Sequence, residues 1–302
     1  MPVSIAEYLG QRTDVDFPEI KPVSPETAAN AICPFTSIAC SKVSGRKRYP
    51  PVCSVRDQGK IFPVCPDRLL PSRMRIVSPA SAELLTEIGK ILFPEAMPTE
   101  IGYRKGVGIR TEQGEGDLKT VHVDYSIVSR AKQGPSPSRV LVDIQGGGET
   151  SNTGGLSRLV KNWQDSDPPY NSILRSSVGQ VGTIPNNAWK RRLEQLMRKS
   201  LLARQSGGAY CLAMGEVLYD YVINQLRVEG SYRPGYELVF VEITEVGPVT
   251  AGPVQFQANR ATYLKFDEFM QALTTAPRTR KDSSVFEGTY STATGDLFDI
   301  SS

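Results

Sequence analysis

Hydrophobic residues recur at helical spacing between residues 79 and 93 and alternate with polar residues in the segments that follow. In PASAELLTEIGKILF, the side chains of Leu84, Ile88 and Leu92 fall on one face of a helix. Pro79 stands at the start of this segment and Pro94 stops it. The pattern predicts an amphipathic helix over this segment.

Three strand-like runs follow the helix. They are RKGVGIRT, TVHVDYSIV and RVLVDIQ, and they are separated by the turn-rich sequences EQGEGDLK and SRAKQGPSPS. A helix followed by a meander of strands is typical of an α/β or α+β core. We therefore expect a mixed sheet flanked by helices.

The second half of the chain continues this mixture of helices and strands. The segment from Asn187 to Arg204 is amphipathic, which predicts a helix. A second helix is expected from about Gly208 to Val228, and a strand is expected in GYELVFVEITEV. Roughly the last thirty residues are polar and turn-rich, and we expect them to form a surface tail.

These elements divide the chain of 302 residues into three parts. Residues 1–30 are expected to form an N-terminal arm with a short helix that begins near Pro25. Residues 31–75 are irregular and contain four of the five cysteines. Residues 76–302 are expected to form the α/β core and its tail.

Composition narrows the class of protein. Hydrophobic residues make up 39% of the chain and charged residues 22%, which is typical of a globular protein and not of a disordered one. No N-terminal signal segment and no apolar run of about 18 residues is visible. We therefore expect a cytoplasmic protein that does not interact with a membrane.

Cys33, Cys40, Cys53 and Cys65 form a cluster along the chain. They are separated by 6, 12 and 11 residues, and no apolar periodicity runs through the loops between them. A tetrahedral thiolate site would fix such loops, whereas the alternative of two disulfides is disfavoured in the cytosol. The spacing leaves the ion open, with zinc as the default and iron as the rival.

The loops between these cysteines are strongly basic. Residues 31–75 contain nine Lys or Arg and two Asp, a net charge of +7 in a chain whose total is +3. Arg46, Lys47, Arg48 and Arg56 are of the types that contact phosphates or guanine edges. We expect this segment to bind DNA; a solvated surface run is the alternative.

Two aspartates lie within neighbouring strand-like runs. Because side chains alternate along a strand, Asp124 shares a face with His122, and Asp143 shares a face with Gln145. Two carboxylates on adjacent strands can bring hard oxygen ligands within reach of one Mg²⁺ ion. The alternative for each aspartate is a strand-end residue that faces solvent.

Three further features have two interpretations each. His122, the single histidine, is either near the site or a strand residue with a satisfied hydrogen bond. The glycines directly after Gln145 allow close approach either of DNA or of the chain at a tight strand exit. Cys211, expected on the second helix, is interpreted as a buried thiol.

The order Asp124, then Asp143-x-Gln145, resembles the plan of the PD-(D/E)XK nucleases, with Gln where Lys is usual. The segment CPF…C…CSVR…CP.R resembles the N-terminal region of the NotI group of Type II restriction endonucleases. The resemblance implies a bacterial, homodimeric, Mg²⁺-dependent enzyme that cuts double-stranded DNA at GC-rich palindromes containing CGGCCG. It also implies that the four cysteines hold one structural iron.

Carried over to this sequence, the resemblance makes Asp124 and Asp143 the Mg²⁺ ligands and places Gln145 in the usual lysine position. Glu100 stands where related nucleases often have an additional acid, with Glu83 and Glu87 as rivals. Gln carries no charge, so activation of the attacking water would depend mainly on the metal.

Two other classes of protein remain as alternatives. A metal-knuckle DNA-binding regulator without catalysis would explain the basic cysteine segment but gives the aspartates no role. A rubredoxin-like electron carrier would use four cysteines and iron, but it requires neither the local charge nor the large core.

Overall fold

The structure of the protein is a computed structural model. It describes residues 3–14, 20, 23, 31–44, 49–65, 67–70, 79–113, 117–131, 134–147, 150–151, 153–166, 171–176, 179, 181–247, 252–275, 288–291 and 297–300. Twelve strands and seven α-helices are assigned within these residues. No described helix combines the length and the apolar character needed to cross a bilayer.

The strands, in chain order, are β1 (Ser4–Tyr8), β2 (Gln11–Arg12), β3 (Val52–Asp57), β4 (Lys60–Pro63), β5 (Ile101–Gln113), β6 (Asp117–Ser129), β7 (Arg139–Gln145), β8 (Ala209–Gly215), β9 (Leu238–Glu245), β10 (Phe256–Leu264), β11 (Gly288–Ser291) and β12 (Leu297–Ile300). The helices are α1 (Ser41–Ser44), α2 (Pro79–Leu92), α3 (Thr153–Gln164), α4 (Asn171–Arg175), α5 (Pro185–Gln205), α6 (Glu216–Leu226) and α7 (Phe266–Thr274), with a 3₁₀ helix at Pro98–Glu100.

A six-stranded mixed sheet forms the core, in the order β10-β9-β8-β7-β6-β5. Strands β5, β6 and β7 form an antiparallel meander, whereas β7, β8 and β9 are parallel and β10 closes the other edge antiparallel. Helix α2 packs on one face through Leu84, Leu85, Ile88 and Leu92. Helices α5, α6 and α7 cover the opposite face. The expected α2, meander, α5 and β9 are therefore confirmed.

Strand β8 corrects the expected second helix. The sequence AYCLAMG is buried along its whole length between β7 and β9, and the helix begins only at Glu216. A short continuous apolar run is compatible with either a buried parallel strand or a buried helix, so its pattern alone does not separate them. Cys211 therefore lies on a strand, where it is fully buried.

A second, four-stranded sheet in the order β2-β1-β3-β4 carries much of the cysteine segment. Its β1 strand comes from the expected arm and pairs antiparallel with β3, so the arm and the cysteine segment share one sheet. Tyr8 and Phe62 pack there with Trp163 of α3 and Leu174 of α4. The helix expected near Pro25 lies outside the described residues. Within the expected C-terminal tail, β11 pairs with β12.

A buried ion pair joins this small sheet to the core. The Glu7 carboxylate of β1 accepts two hydrogen bonds from the Arg68 guanidinium, at 2.6 and 2.7 Å, and one from the backbone N–H of Val254. The guanidinium lies between the rings of Phe35 and Phe256. Because Glu7 and Arg68 are 0% and 5% exposed, neither charge is compensated by water.

We predict that Arg68→Ala lowers the free energy of unfolding by about 3–5 kcal/mol, because the substitution leaves the Glu7 carboxylate buried without its partner. The measurement is urea unfolding of the purified protein. Arg158→Ala, at an exposed position of α3, is the control and should change the value by less than about 0.5 kcal/mol. Equal effects of the two substitutions would contradict the prediction.

Candidate functional site

The two predicted aspartates meet where strands β6 and β7 part. The ladder between the strands ends at the pair Tyr125–Val142, and Asp124 and Asp143 are the next residues. The Asp143 Oδ1 atom accepts the backbone N–H of Asp124 at 3.1 Å, and the Asp124 Oδ2 atom accepts the backbone N–H of Ile144 at 2.9 Å. Beyond this point β6 and β7 no longer pair through their backbones. Each carboxylate therefore accepts a backbone N–H that has no partner on the opposite strand. We call this pair the aspartate fork.

Asp143 has two further partners that the sequence analysis did not identify. Lys199 of α5 forms an ion pair with Asp143 Oδ2, and the Tyr210 hydroxyl of β8 donates to the same oxygen at 2.7 Å. Both side chains are buried. A sequence signal for the lysine did exist, because Lys199 lies three residues after Leu196 on the buried side of an amphipathic helix.

A cavity of about 380 Å³ opens on the aspartate fork. Strand β6 supplies one side of it, and helix α5 supplies the other. Its described lining residues are Val121, His122, Asp124, Asp143, Arg192, Gln195, Arg198 and Lys199. The structure therefore places His122 beside the carboxylates, where its side chain is exposed.

Burial and the neighbouring negative charge disfavour the ionised form of Asp124. Burial raises the pKa of Asp124 above its ordinary value, and the negative charge of Asp143 adds to this increase. The N–H of Ile144 and the positive charges of Lys199 and Arg192 act in the opposite direction. Burial and the neighbouring Asp143 also raise the pKa of Tyr210 well above its ordinary value, so its hydroxyl stays protonated and donates.

The donor set of the fork fits a hard divalent cation. Mg²⁺ is commonly held in proteins by one or two carboxylates, and it retains positions for water and phosphate. Among the described residues, no group of three or more His, Cys, Asp or Glu side chains is arranged to hold an ion. A cation here would therefore rest on two carboxylates and take its other ligands from water or substrate.

The structure does not bring Gln145 or Glu100 to the lining of this cavity. Gln145 lies two residues beyond Asp143, at the end of β7. Glu100 precedes the pairing of Ile101 with Ser129, five residues along β6 from Asp124, or about 17 Å at the usual rise of a strand. Its carboxylate instead accepts the backbone N–H of Met97 at 2.8 Å.

The glycines after Gln145 face the small sheet. The N–H of Gly147 donates to the carbonyl of Pro63 at 2.9 Å. A Cβ atom on Gly147 would lie 2.2 Å from the ring of Phe62, and one on Gly146 would lie 2.8 Å from the Pro63 carbonyl oxygen. Of the two interpretations of these glycines, the contacts support a tight exit of the chain from β7, because β4 occupies the space beside the backbone.

The four cysteines of the N-terminal segment are buried, and none of them is joined in a disulfide. Cys33 and Cys40 pack together, and the N–H of Cys65 donates to the carbonyl of Cys53 at 3.1 Å. Burial raises the pKa of the Cys65 thiol, and the charge of Cys33 contributes to the increase. The pair Cys33–Cys40 therefore lies close to the pair Cys53–Cys65. Among the described residues, however, the thiols do not form a metal-binding group.

The basic residues expected to contact DNA are only partly described. Arg46, Lys47 and Arg48 lie outside the described residues. Arg56 donates to Asp14 at 2.8 Å and to Glu245 of β9 at 3.1 Å. Its guanidinium therefore links the small sheet to the core sheet through partly buried ion pairs.

No protein-family model matches this sequence, and no curated protein is significantly similar to it.

We predict that Asp124→Asn raises the free energy of unfolding at neutral pH in the absence of divalent cations. The raised pKa means that folded Asp124 still holds a proton at pH values where the unfolded residue, with its ordinary value of 3.8, has lost it. Stability therefore falls as pH rises through this window, and ionised Asp124 destabilises the fold above it. Asn removes this cost and keeps an oxygen for the Ile144 N–H.

Urea unfolding between acidic and neutral pH measures the effect. The advantage of the Asn variant should shrink as pH falls toward 3.8. Glu83→Gln removes the same charge at an exposed position of α2 and is the control; it should not reproduce the gain in stability. A variant that is less stable than the unmodified protein at every pH would contradict the prediction.

Proposed function

We propose that this protein is a Mg²⁺-dependent endonuclease that hydrolyses phosphodiester bonds in double-stranded DNA. The observation that carries the proposal is the aspartate fork, in which two carboxylates from adjacent strands open into a cavity with a basic wall. A purely structural role does not account for this placement. Burial raises the pKa of Asp124, so the ionised form of this residue opposes folding at neutral pH. A bound cation would remove that cost.

In this proposal Asp124 and Asp143 hold Mg²⁺, which when bound polarises the phosphate and lowers the pKa of a bound water. The chain's own residues orient the site. Tyr210 and Lys199 fix the Asp143 carboxylate from two different elements. Lys199 also gives the site a positive charge that Gln145 does not provide, so the departure from the D-x-K plan does not leave the site without an ammonium group.

The resemblance in the sequence extends the proposal to a finer level. The six-stranded mixed sheet with flanking helices is compatible with a PD-(D/E)XK nuclease core. We accordingly propose a restriction endonuclease of the NotI group, acting as a homodimer on GC-rich palindromes of the CGGCCG type. A two-fold palindrome requires two-fold symmetry of the protein that reads it.

We propose in addition that Cys33, Cys40, Cys53 and Cys65 hold one structural metal ion, which the resemblance makes iron, with zinc as the alternative. Support comes from the chemistry of four buried thiols that form no disulfide and lie in neighbouring pairs. Among the described residues no group of three or more such side chains is found in position to hold an ion, so no step of the reaction is assigned to it.

Cleavage of plasmid DNA tests the catalytic proposal. We predict discrete bands with Mg²⁺ for the unmodified protein and a rate at least about 100-fold lower for Asp124→Asn, because loss of a direct ligand should exceed the 10–100-fold cost of losing an outer partner. Duplex binding should remain measurable in Ca²⁺. Asn is preferable to Ala at this position because it keeps the acceptor for Ile144.

Glu100→Gln is the matched control, since its carboxylate lies outside the cavity and should leave the cleavage rate near normal. No cleavage by the unmodified protein would show that the proposed activity is wrong. Full activity of the Asp124 variant would show that the fork is not the metal site.

Elemental analysis tests the cysteine site. We predict one iron or zinc per chain and its loss in Cys53→Ala, because binding and folding of the segment share one free energy. Cys211→Ala removes an equally buried thiol from the core and should retain the ion. Metal-free protein with bridged cysteines would contradict the site.

A further inference from the structure

Helix α5 has a buried apolar face and a polar face that lines the cavity. Trp189 and Leu196 belong to the apolar cluster beneath the sheet. Arg192, Gln195 and Arg198 line the cavity instead, at intervals of three residues. Residues three apart lie on successive turns of one helix face, so these side chains form a continuous polar strip beside the aspartate fork. We call these three residues the α5 wall.

The formal charges of the cavity are not balanced by its carboxylates. Its described lining residues carry three positive charges, on Arg192, Arg198 and Lys199, and two negative charges, on Asp124 and Asp143. Lys199 is already committed to Asp143. A divalent cation on the fork would increase the positive excess further. A cavity lined by these side chains is suited to an anionic ligand.

The geometry of the wall favours a row of phosphates over a single one. Arg192 and Arg198 are six residues apart, or about 9 Å along the helix axis. Successive phosphates of one DNA strand advance by only about 3.4 Å along the duplex, so the two arginines can reach different phosphates. Gln195 accepts a hydrogen bond from Arg192 at 2.9 Å, which orients that guanidinium along the wall.

Other basic residues near the core are less suited to this task. The Arg56 guanidinium is held by Asp14 and Glu245, and that of Arg68 is buried against Glu7. These two side chains join the sheets of the protein to each other. The α5 wall differs in its position, because its residues line the cavity at the fork.

We infer that the α5 wall binds backbone phosphates of the DNA strand that enters the aspartate fork, with Arg192 and Arg198 on different phosphates. This inference rests on the proposed nuclease function and assigns the contact to helix α5, separate from the basic cysteine segment. Phosphate contacts position a duplex without reading its sequence. The wall therefore contributes to affinity and to placement of the scissile bond, and base recognition is left to other residues.

The test is the salt dependence of binding to a fluorescent DNA duplex in Ca²⁺. Each lost phosphate contact lowers the slope of log affinity against log salt by about 0.9, so Arg192→Gln/Arg198→Gln should lower it by roughly 1.8. Lys90→Gln/Lys190→Gln removes the same charge from exposed positions outside the cavity and is the matched control. Its slope should match that of the unmodified protein, and discrimination between cognate and mismatched duplexes should be preserved in both variants.

The outcomes separate the two proposals. An unchanged slope in the arginine variant, with normal cleavage by the unmodified protein, would overturn the α5 wall and leave the nuclease function standing. An equal loss of slope in both variants would also overturn it, because the effect would then follow net charge. Absence of both binding and cleavage in the unmodified protein would overturn the function and the wall together.

Discussion

One buried carboxylate, Asp143, holds the candidate site together. Its two oxygens accept from the backbone of β6, from Lys199 of α5 and from Tyr210 of β8. A buried charge is tolerated only when it is paired and hydrogen-bonded, since its transfer from water otherwise costs several kcal/mol. The positions of α5 and β8 relative to β7 therefore depend on the same carboxylate that lines the cavity.

The small sheet contacts the chain directly after the C-terminal end of β7. Gly146 and Gly147 leave β7 directly against β4, where no side chain would fit. The Glu7 carboxylate binds Arg68 and also accepts the backbone N–H of Val254, which holds β1 next to the segment that leads into β10. Because the cysteine segment belongs to this sheet, its folding is mechanically connected to the strand that carries Asp143. A structural metal there would act on the site through packing.

The ionised form of Asp124 lowers the stability of the fold at the candidate site. Asp124 is half-buried beside a second carboxylate, and its raised pKa reflects the resulting cost to the stability of the fold. On the opposite side of the cavity, Arg192 and Arg198 supply positive charge. The aspartate fork favours a cation, and the α5 wall beside it favours an anion. In the proposed function these are the metal ion and the phosphate of a metal-bound phosphodiester.

The sequence by itself determined the elements whose patterns are local. The period of α2 and the alternation in β5, β6 and β7 were sufficient to place Asp124 and Asp143 on neighbouring strands. The sequence did not separate strand from helix in β8, because an apolar run of seven residues satisfies both. It also did not connect Asp143 with Lys199 and Tyr210, which lie 56 and 67 residues away. Such contacts depend on which helix covers which strand, and only the packing of the complete sheet decides that.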